Sequence, residues 1–482
     1  MSGLLTALQS SAGAMQAFEQ ALETIGNNVS NSSTPGYAAQ TPTLDALPFN
    51  PNEGLPGGVT AGVVQSARDE FSEQNVRQNV STLGTLEATS QNLSSIQTGF
   101  PVSSNSGIAG ALNSLFQNFS AWSVTPTSVA SQQTVIDGAQ SVAQAFQQAY
   151  AGLTQASNNT DQQIQQTVSQ INGYASQLAA DNQQIQNGDR NDAGLDAQIH
   201  STLENLSELG DITATQQSDG SWKVLLGGQT PLVIGSQAYS ISISVSTPPG
   251  APATVAGGNP PTRILDFQGN DVTANISDGK LAGYLQVRNN VLPSIIGGAY
   301  QQGSLNQLAQ GVADTVNNLL TAGNISNGPP PVPGIPLFTY NAAAPTSVAS
   351  TIGVNSAVTP GQLAAIQPGP PQVSNGIALQ LANLANPTSA TGQINGLSFT
   401  EFYGSIAAQV GQQTSDAQSQ LQVQQQTVAQ AQSLRSQISG VSLNEEAARL
   451  VEFQNAYQAT ARTVTVLDTL TQDTINILPV TG

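Results

Sequence analysis

Residues 4–29 read LLTALQSSAGAMQAFEQALETIGNNV, with apolar side chains at Leu4, Leu8, Met15, Phe18, Leu22, Ile25 and Val29 and Ser11 keeping the register. The spacing alternates four and three, the heptad period of a helix whose apolar residues form one narrow seam. At 1.5 Å per residue the helix is about 40 Å long, and so narrow a seam on a lone helix needs a partner. The far end of the chain offers one: Leu450, Phe453, Tyr457, Thr460, Val464, Leu467 and Thr471 repeat at three and four. A second stripe, Val466, Leu470 and Ile477, runs beside it at helical spacing. Two stripes predict a helix buried on two sides, one against the N-terminal helix and one against neighbouring copies of the chain. Periodicity alone equally allows an ordinary two-helix core. Asn444 is the expected N-cap of this last helix, with Glu445 and Glu446 in its first turn, where the helix dipole favours carboxylates.

Between the ends, apolar residues at three- and four-residue spacing predict helices over about 68–97, 129–157, 161–187 and 194–209, and again over 281–320 and 399–438. Helices from both halves would pack into one long bundle. From Asp211 to about Thr273 the pattern turns strand-like: Trp222-Lys223-Val224-Leu225-Leu226 follows an Asp219-Gly220 turn, and Ile241-Ser242-Ile243-Ser244-Val245 alternates. Gly328-Pro329-Pro330-Pro331-Val332-Pro333-Gly334 is too proline-rich for helix and reads as a loop. The expected fold is therefore α+β and mainly helical. Paired coiled-coil termini (1–45 with 440–482) join a helical bundle (46–210 with 274–325 and 372–439). A β-rich outer domain (211–273) is inserted as an outward excursion, and 326–371 forms an irregular Pro/Gly-rich segment with room for short strands.

A length of 482 residues fits about three domains. Only 8% of residues are charged, against about 25% in an ordinary globular chain, so the polar surface is made of Gln, Asn, Ser and Thr. Such surfaces repel copies of themselves weakly. The net charge of −19 follows from having only ten Lys and Arg, with no basic cluster to neutralise phosphates, which excludes nucleic acid and anionic lipid as partners. There is no cysteine, hence no disulfide or thiolate chemistry. The N-terminus lacks the basic and apolar regions of a cleaved signal peptide, and no stretch reaches the roughly 18 apolar residues of a membrane span. Export without a cleaved signal is the expectation if the chain leaves the cell.

Asn27-Asn28-Val29-Ser30-Asn31-Ser32-Ser33-Thr34-Pro35-Gly36-Tyr37 closes the first helix. Asn suits the helix C-terminus, Thr34 is pushed to extended geometry by Pro35, and Pro-Gly suits the centre of a type II turn. As local chemistry this is a stop signal. As a whole string, placed straight after a heptad helix, it resembles the Asn-rich, Thr-Pro-Gly-Tyr signature of flagellar rod, hook and hook-associated proteins, carried here by Asn28, Asn31, Thr34, Pro35, Gly36 and Tyr37. Gly58–Val64 leading into Arg68-Asp69-Glu70-Phe71 is similar to that family's strand before its first bundle helix. Gln170–Ala175, Leu281–Leu285, Ile352–Asn355, Asn375–Leu379 and Ser439–Ala447 continuing to Phe453–Ala459 resemble landmarks of its FlgK-type, hook–filament junction branch. The likeness departs at Gly328–Pro336, where a proline-rich run replaces a more polar stretch.

The resemblance implies a structural role in the bacterial flagellum: export by the type III apparatus, location outside the cell, and assembly at the distal end of the hook. It implies lateral contacts with copies of itself, hook protein on one side, the next hook-associated junction protein on the other, and an export chaperone. The expected assembly contacts are Leu4, Leu8, Met15, Phe18, Leu22, Ile25 and Val29 with Leu450, Phe453, Tyr457, Val464, Leu467, Leu470 and Ile477. A hook or rod subunit is the nearer alternative, and a secreted hydrolase or adhesin with flagellar-type termini the farther one. For catalysis the residues are poor. His200, the lone histidine, falls in a helix with no Cys or second His to form a triad or metal site. Asp189, Asp192 and Asp196 lack the oxygen density of a calcium loop and read as a solvated turn. Gly227-Gly228 has neither the helix start nor the lysine of a phosphate loop. No enzyme activity, cofactor or metal is expected.

Overall fold

The computed structural model describes residues 2–50, 55–101 and 106–477. The heptad segment forms α1 (Ser2–Ser30), followed by strands β1 (Gln40–Ala46), β2 (Phe49–Asn50), β3 (Leu55–Pro56) and β4 (Val59–Ser66). β1 and β4 pair antiparallel from Gln40 opposite Ser66 to Ala46 opposite Val59. β1 has no expected counterpart because Pro42 argues against a strand; the ladder accommodates it with a register shift between Pro42 and Leu44.

Three helices then build the body: α2 (Glu70–Gln97), α3 (Gly107–Val124) and α4 (Val129–Asn187). Asp69 caps α2 by accepting from Ser72 N at 2.7 Å. α3 went unread among its glycines and serines, although Ile108, Leu112, Leu115, Phe116, Phe119 and Trp122 are all buried. α4 corrects the expectation of two helices, 129–157 and 161–187. Asn158-Asn159-Thr160 reads as a break, yet Thr160 is fully buried and its hydroxyl donates to Ala156 O and to Asn92 Oδ1 on α2, both at 2.8 Å. Bonding to the carbonyl four residues back lets threonine stay inside a helix.

α5 (Ala193–Leu209) precedes the β-rich stretch, which is β5 (Ile212–Gln216), β6 (Trp222–Leu226), β7 (Thr230–Ile234), β8 (Gln237–Ala238), β9 (Ser242–Val245) and β10 (Thr262–Leu265). The first four form an antiparallel meander, and β9 pairs with β10. The strands do not close on themselves. Trp222, Val224, Leu226, Leu232 and Val233 point inward and share one buried cluster with Ile164, Ile171 and Leu178 of α4 and Leu203 and Leu206 of α5.

The return begins with α6 (Gly279–Gln286), a π-helical turn at Val287–Val291 and α7 (Leu292–Ile296), then α8 (Ser304–Ala322). One continuous helix over 281–320 is thus corrected. The extra residue of the π-turn lets Arg288 reach both oxygens of Asp161 (2.8 and 2.9 Å) and lets the Asn289 amide pair with Thr262 N and O (2.9 and 2.8 Å). Next come β11 (Asn324–Ser326), β12 (Val332–Pro333), β13 (Phe338–Thr339), α9 (Val348–Thr351) and β14 (Gly353–Val354). This proline-rich stretch is no bare linker: Leu337, Phe338, Val348, Ile352 and Leu363 are buried in the largest apolar cluster with Trp122, Phe146 and Val312. α10 (Gly376–Ala382), β15 (Gln393–Ile394) and β16 (Leu397–Ser398) lead to α11 (Phe399–Ser439), which runs antiparallel along α2. α12 (Leu443–Ile477) closes the chain against α1. Its cap is Ser442, whose hydroxyl lies 3.4 Å from Glu445 N, and Asn444 stands inside the helix instead. Serine three residues ahead of a glutamate is the capping spacing. Among the described residues no helix is long and apolar enough to cross a membrane.

Candidate assembly interface

The two termini meet as a helix pair. On α1, Leu4, Leu8, Met15, Phe18 and Leu22 are half-buried, Ile25 is buried and Val29 is exposed. On α12, Leu450, Phe453, Tyr457, Val464 and Leu467 are half-buried, and the Phe18 and Phe453 rings lie 6.2 Å apart. A second face of α1 went unread: Ser10, Gly13, Ala17, Ala21, Thr24 and Asn28 share a line. Ser10 Oγ donates to Gly57 O at 2.7 Å, and Ala17, Ala21 and Asn28 are buried. Small residues at helical spacing carried the signal. They let the β1–β4 hairpin approach α1 on the face beside the heptad seam, about 100° around the helix from it.

α12 has one covered face. Val466 is 58% exposed and Leu470 47% exposed, and Val451 and Ile475 are exposed too. The Ile477 side chain lies outside the described residues. The outward stripe is apolar, is left uncovered by the described residues, and sits on a helix whose other side already holds α1.

The turn after α1 is built on Asn28. Its Oδ1 accepts from Gln40 N (2.8 Å) and from the Tyr37 hydroxyl (3.0 Å), while its Nδ2 donates to Gln40 O (2.8 Å). A primary amide offers donor and acceptor in the same arrangement as a peptide group, so Asn28 pairs with the first residue of β1 as another strand would. Asn31 Nδ2 donates to Asn27 O at 3.0 Å, and Thr34 Oγ1 donates to Asn31 Oδ1 at 3.2 Å. Tyr37 N reaches back to Thr34 O at 3.2 Å around Pro35 and Gly36, and Gly36 has φ +75°. That φ suits glycine, and a Cβ there would collide with Ala197 O of α5. Burial, then the Glu446 carboxylate, push the Tyr37 hydroxyl pKa up.

Charged groups surround this turn. Arg68 donates through Nη2 to Gly36 O (2.6 Å), through Nε and Nη2 to Asp196 Oδ2 (2.9 and 2.7 Å), and through Nη1 to Glu73 Oε1 (2.6 Å). Arg435 on α11 bridges Glu73 Oε2 (3.2 Å) and Glu204 Oε2 (2.6 Å). Asp196 is therefore an ion-pair partner rather than part of a solvated turn, while Asp192 caps α5 through Gly194 N and Leu195 N (2.7 and 2.9 Å). His200 is buried edge-on to Trp222 (centroids 5.2 Å apart), with Nε2 3.6 Å from Asp196 Oδ1. Burial first, then the charges of Arg68, Arg77 and Arg435, hold its pKa well below 6.5. Among the described residues no group of His, Cys, Asp and Glu is arranged to hold a metal.

Comparison with known proteins follows the same geography. Residues 8–37, which hold the seam and the turn, match the model of the flagella basal body rod protein, and 432–477 match that of the flagellar basal body rod FlgEFG protein C-terminal region. By class, then, this is a protein of the flagellar axis. Residues 93–338, just over half of the chain, match the helical domain of flagellar hook-associated protein FlgK, and the chain belongs to the FlgK family. Flagellar hook-associated protein 1 of Bacillus subtilis (strain 168) is 24% identical over 524 residues, spanning 100% of both chains. The proteins of that name from Salmonella typhimurium and Escherichia coli K12 are each 26% identical, over 68% of this chain and 58% and 59% of their own lengths. The fold is similar to that of the flagellar hook junction protein FlgK from Burkholderia pseudomallei: TM-score 0.64 at 16% identity, over 76% of this chain and 100% of that one.

Proposed function

We propose that this protein is the structural subunit that joins the flagellar hook to its filament. It leaves the cell through the type III apparatus and assembles at the distal end of the hook. The observation that carries the reading is the outward apolar stripe of α12, a ready surface on a helix that α1 covers on one side only. Copies of the chain pack laterally through the terminal segments 1–45 and 440–482, by their helices α1 and α12. Hook protein lies below and the next hook-associated protein above, and a chaperone covers the stripe before export. The bundle (46–210, 274–325, 372–439), the β-rich unit (211–273) and the 326–371 segment stand farther from the axis and add lateral contacts. A low density of charge on the polar surface keeps repulsion between copies small. The test is to label the protein in a strain lacking its own copy and image intact flagella. Signal confined to the hook–filament boundary is expected, together with loss of attached filaments when the protein is absent. The two rod-type matches at the termini favour a rod or hook subunit as the second reading, and label spread along the rod or hook would replace the first reading with it.

A further inference from the structure

The pairing of an asparagine side chain with both backbone groups of one strand residue is not confined to Asn28. Among the described residues four asparagines of the helical body, on α4, α8 and the π-turn, make it too. Asn172 on α4 donates through Nδ2 to Ile241 O and accepts from Ile241 N at Oδ1 (both 2.9 Å). Asn182, also on α4, does the same with Trp222 (both 2.7 Å). Asn289 in the π-turn holds Thr262 (2.8 and 2.9 Å), and Asn317 on α8 holds Phe338 (both 2.9 Å). Trp222, Thr262 and Phe338 are the first residues of β6, β10 and β13, and Ile241 stands one before β9. All four gripped residues are buried.

We propose that Asn172, Asn182, Asn289 and Asn317 are register pins: each selects the residue at which a strand docks on the helical body. In an extended chain the N–H and C=O of one residue leave on the same side, and those of its neighbours on the other. A primary amide therefore fits only every second residue. A slip of one residue is the error that turns buried side chains outward, and it leaves the asparagine and the strand without their shared bonds, at the cost of unpaired buried polar groups. The sheets concerned need such a fixture. β9–β10 and β13–β14 are two-stranded, and a lone ribbon is marginal in water. Thr262 pairs with Val245 and Leu265 with Ser242, so Ile241 and Thr262 stand at diagonal corners of the β9–β10 ribbon, one held by α4 and the other by the π-turn. On the four-stranded sheet, Asn182 takes over the lane beside Trp222 that β7 leaves after Ile234, and its Nδ2 also donates to Gly235 O (2.7 Å). The pins do not depend on where along the flagellum the protein sits.

The test uses the full-length chain. Its two tryptophans, Trp122 and Trp222, are both buried, so acrylamide should quench the parent weakly. Replacing a pin by aspartate keeps its shape and its acceptor, removes the donor and sets a carboxylate against the strand carbonyl. In Asn182→Asp, Trp222 should turn outward: emission shifts to the red and one of the two tryptophans becomes quenchable, while the helical melt of the body is retained. Asn317→Asp, in the other core, should leave quenching as in the parent. Asn172→Asp and Asn289→Asp each touch one corner of the ribbon, and each should strip amide-exchange protection from the whole of 242–245 and 262–265. Loss confined to the one gripped residue, Ile241 or Thr262, overturns the pins, because the bond would then act only locally. A Trp222 that stays buried in Asn182→Asp overturns them as well. So does loss of the whole cooperative melt in all four variants, since the amides would then belong to the general core.

Discussion

Asn28 closes the turn after α1, and His200 lies buried on α5 beside Asp196, the carboxylate that holds Arg68. The sequence made Asn28 legible as a helix stop and as part of a family string. It could not show that the side chain imitates a strand, because that depends on β1, whose Pro42 hid it. His200 was legible only as a helical histidine. Its burial comes from Trp222, on a strand 22 positions later, and the charges around it come from three segments. Folding keeps His200 neutral because its pKa is depressed, whereas the unfolded chain protonates it near 6.5. The unfolded state thus binds more protons below that value, and stability falls as pH drops from about 6.5 toward the folded-state pKa. The thermal midpoint should fall between pH 7.5 and 5.5, and His200→Gln should flatten that part of the curve. An equally steep curve in the variant would assign the loss to other groups.

At the scale of elements, α1 and α12 were readable from end to end because a heptad needs no tertiary information to be seen. α3 and the unbroken α4 were not. Glycines in one and the Asn-Asn-Thr of the other look like breaks until a buried partner, Asn92, satisfies Thr160. The two stripes of α12 give a paired experiment. Val464→Asp with Leu467→Asp places charge in the half-buried seam and should loosen the helix pair, removing amide protection from α1 in the monomer. Val466→Asp with Leu470→Asp changes only the exposed face. It should leave protection and melt nearly as they were while cells lose their attached filaments. If the second pair leaves filaments attached, the outward stripe is not an assembly surface. Unchanged protection with the first pair would mean that the seam does not hold the helices together.

For the whole molecule, the outline of helices out, strands, and helices back was visible in composition and period. The sharing of cores was not, since it depends on which faces meet. The β-rich stretch reads in sequence as a dispensable excursion, yet Trp222, Val224, Leu226 and Leu232 fill the same core as α4 and α5. Replacing 211–273 by a Gly/Ser linker would expose several large side chains, each worth about 1.5–3 kcal/mol when buried. The expected outcome is loss of the cooperative melt in circular dichroism, and a stable helical protein after the deletion would refute it. α4 belongs to both large cores: Phe146 and Leu153 lie in one, Ile171 and Leu178 in the other. With 59 residues it is about 88 Å long at 1.5 Å per residue, and no loop interrupts it between them. A displacement imposed on one core therefore reaches the other along one continuous helix, with no loop between them to yield first.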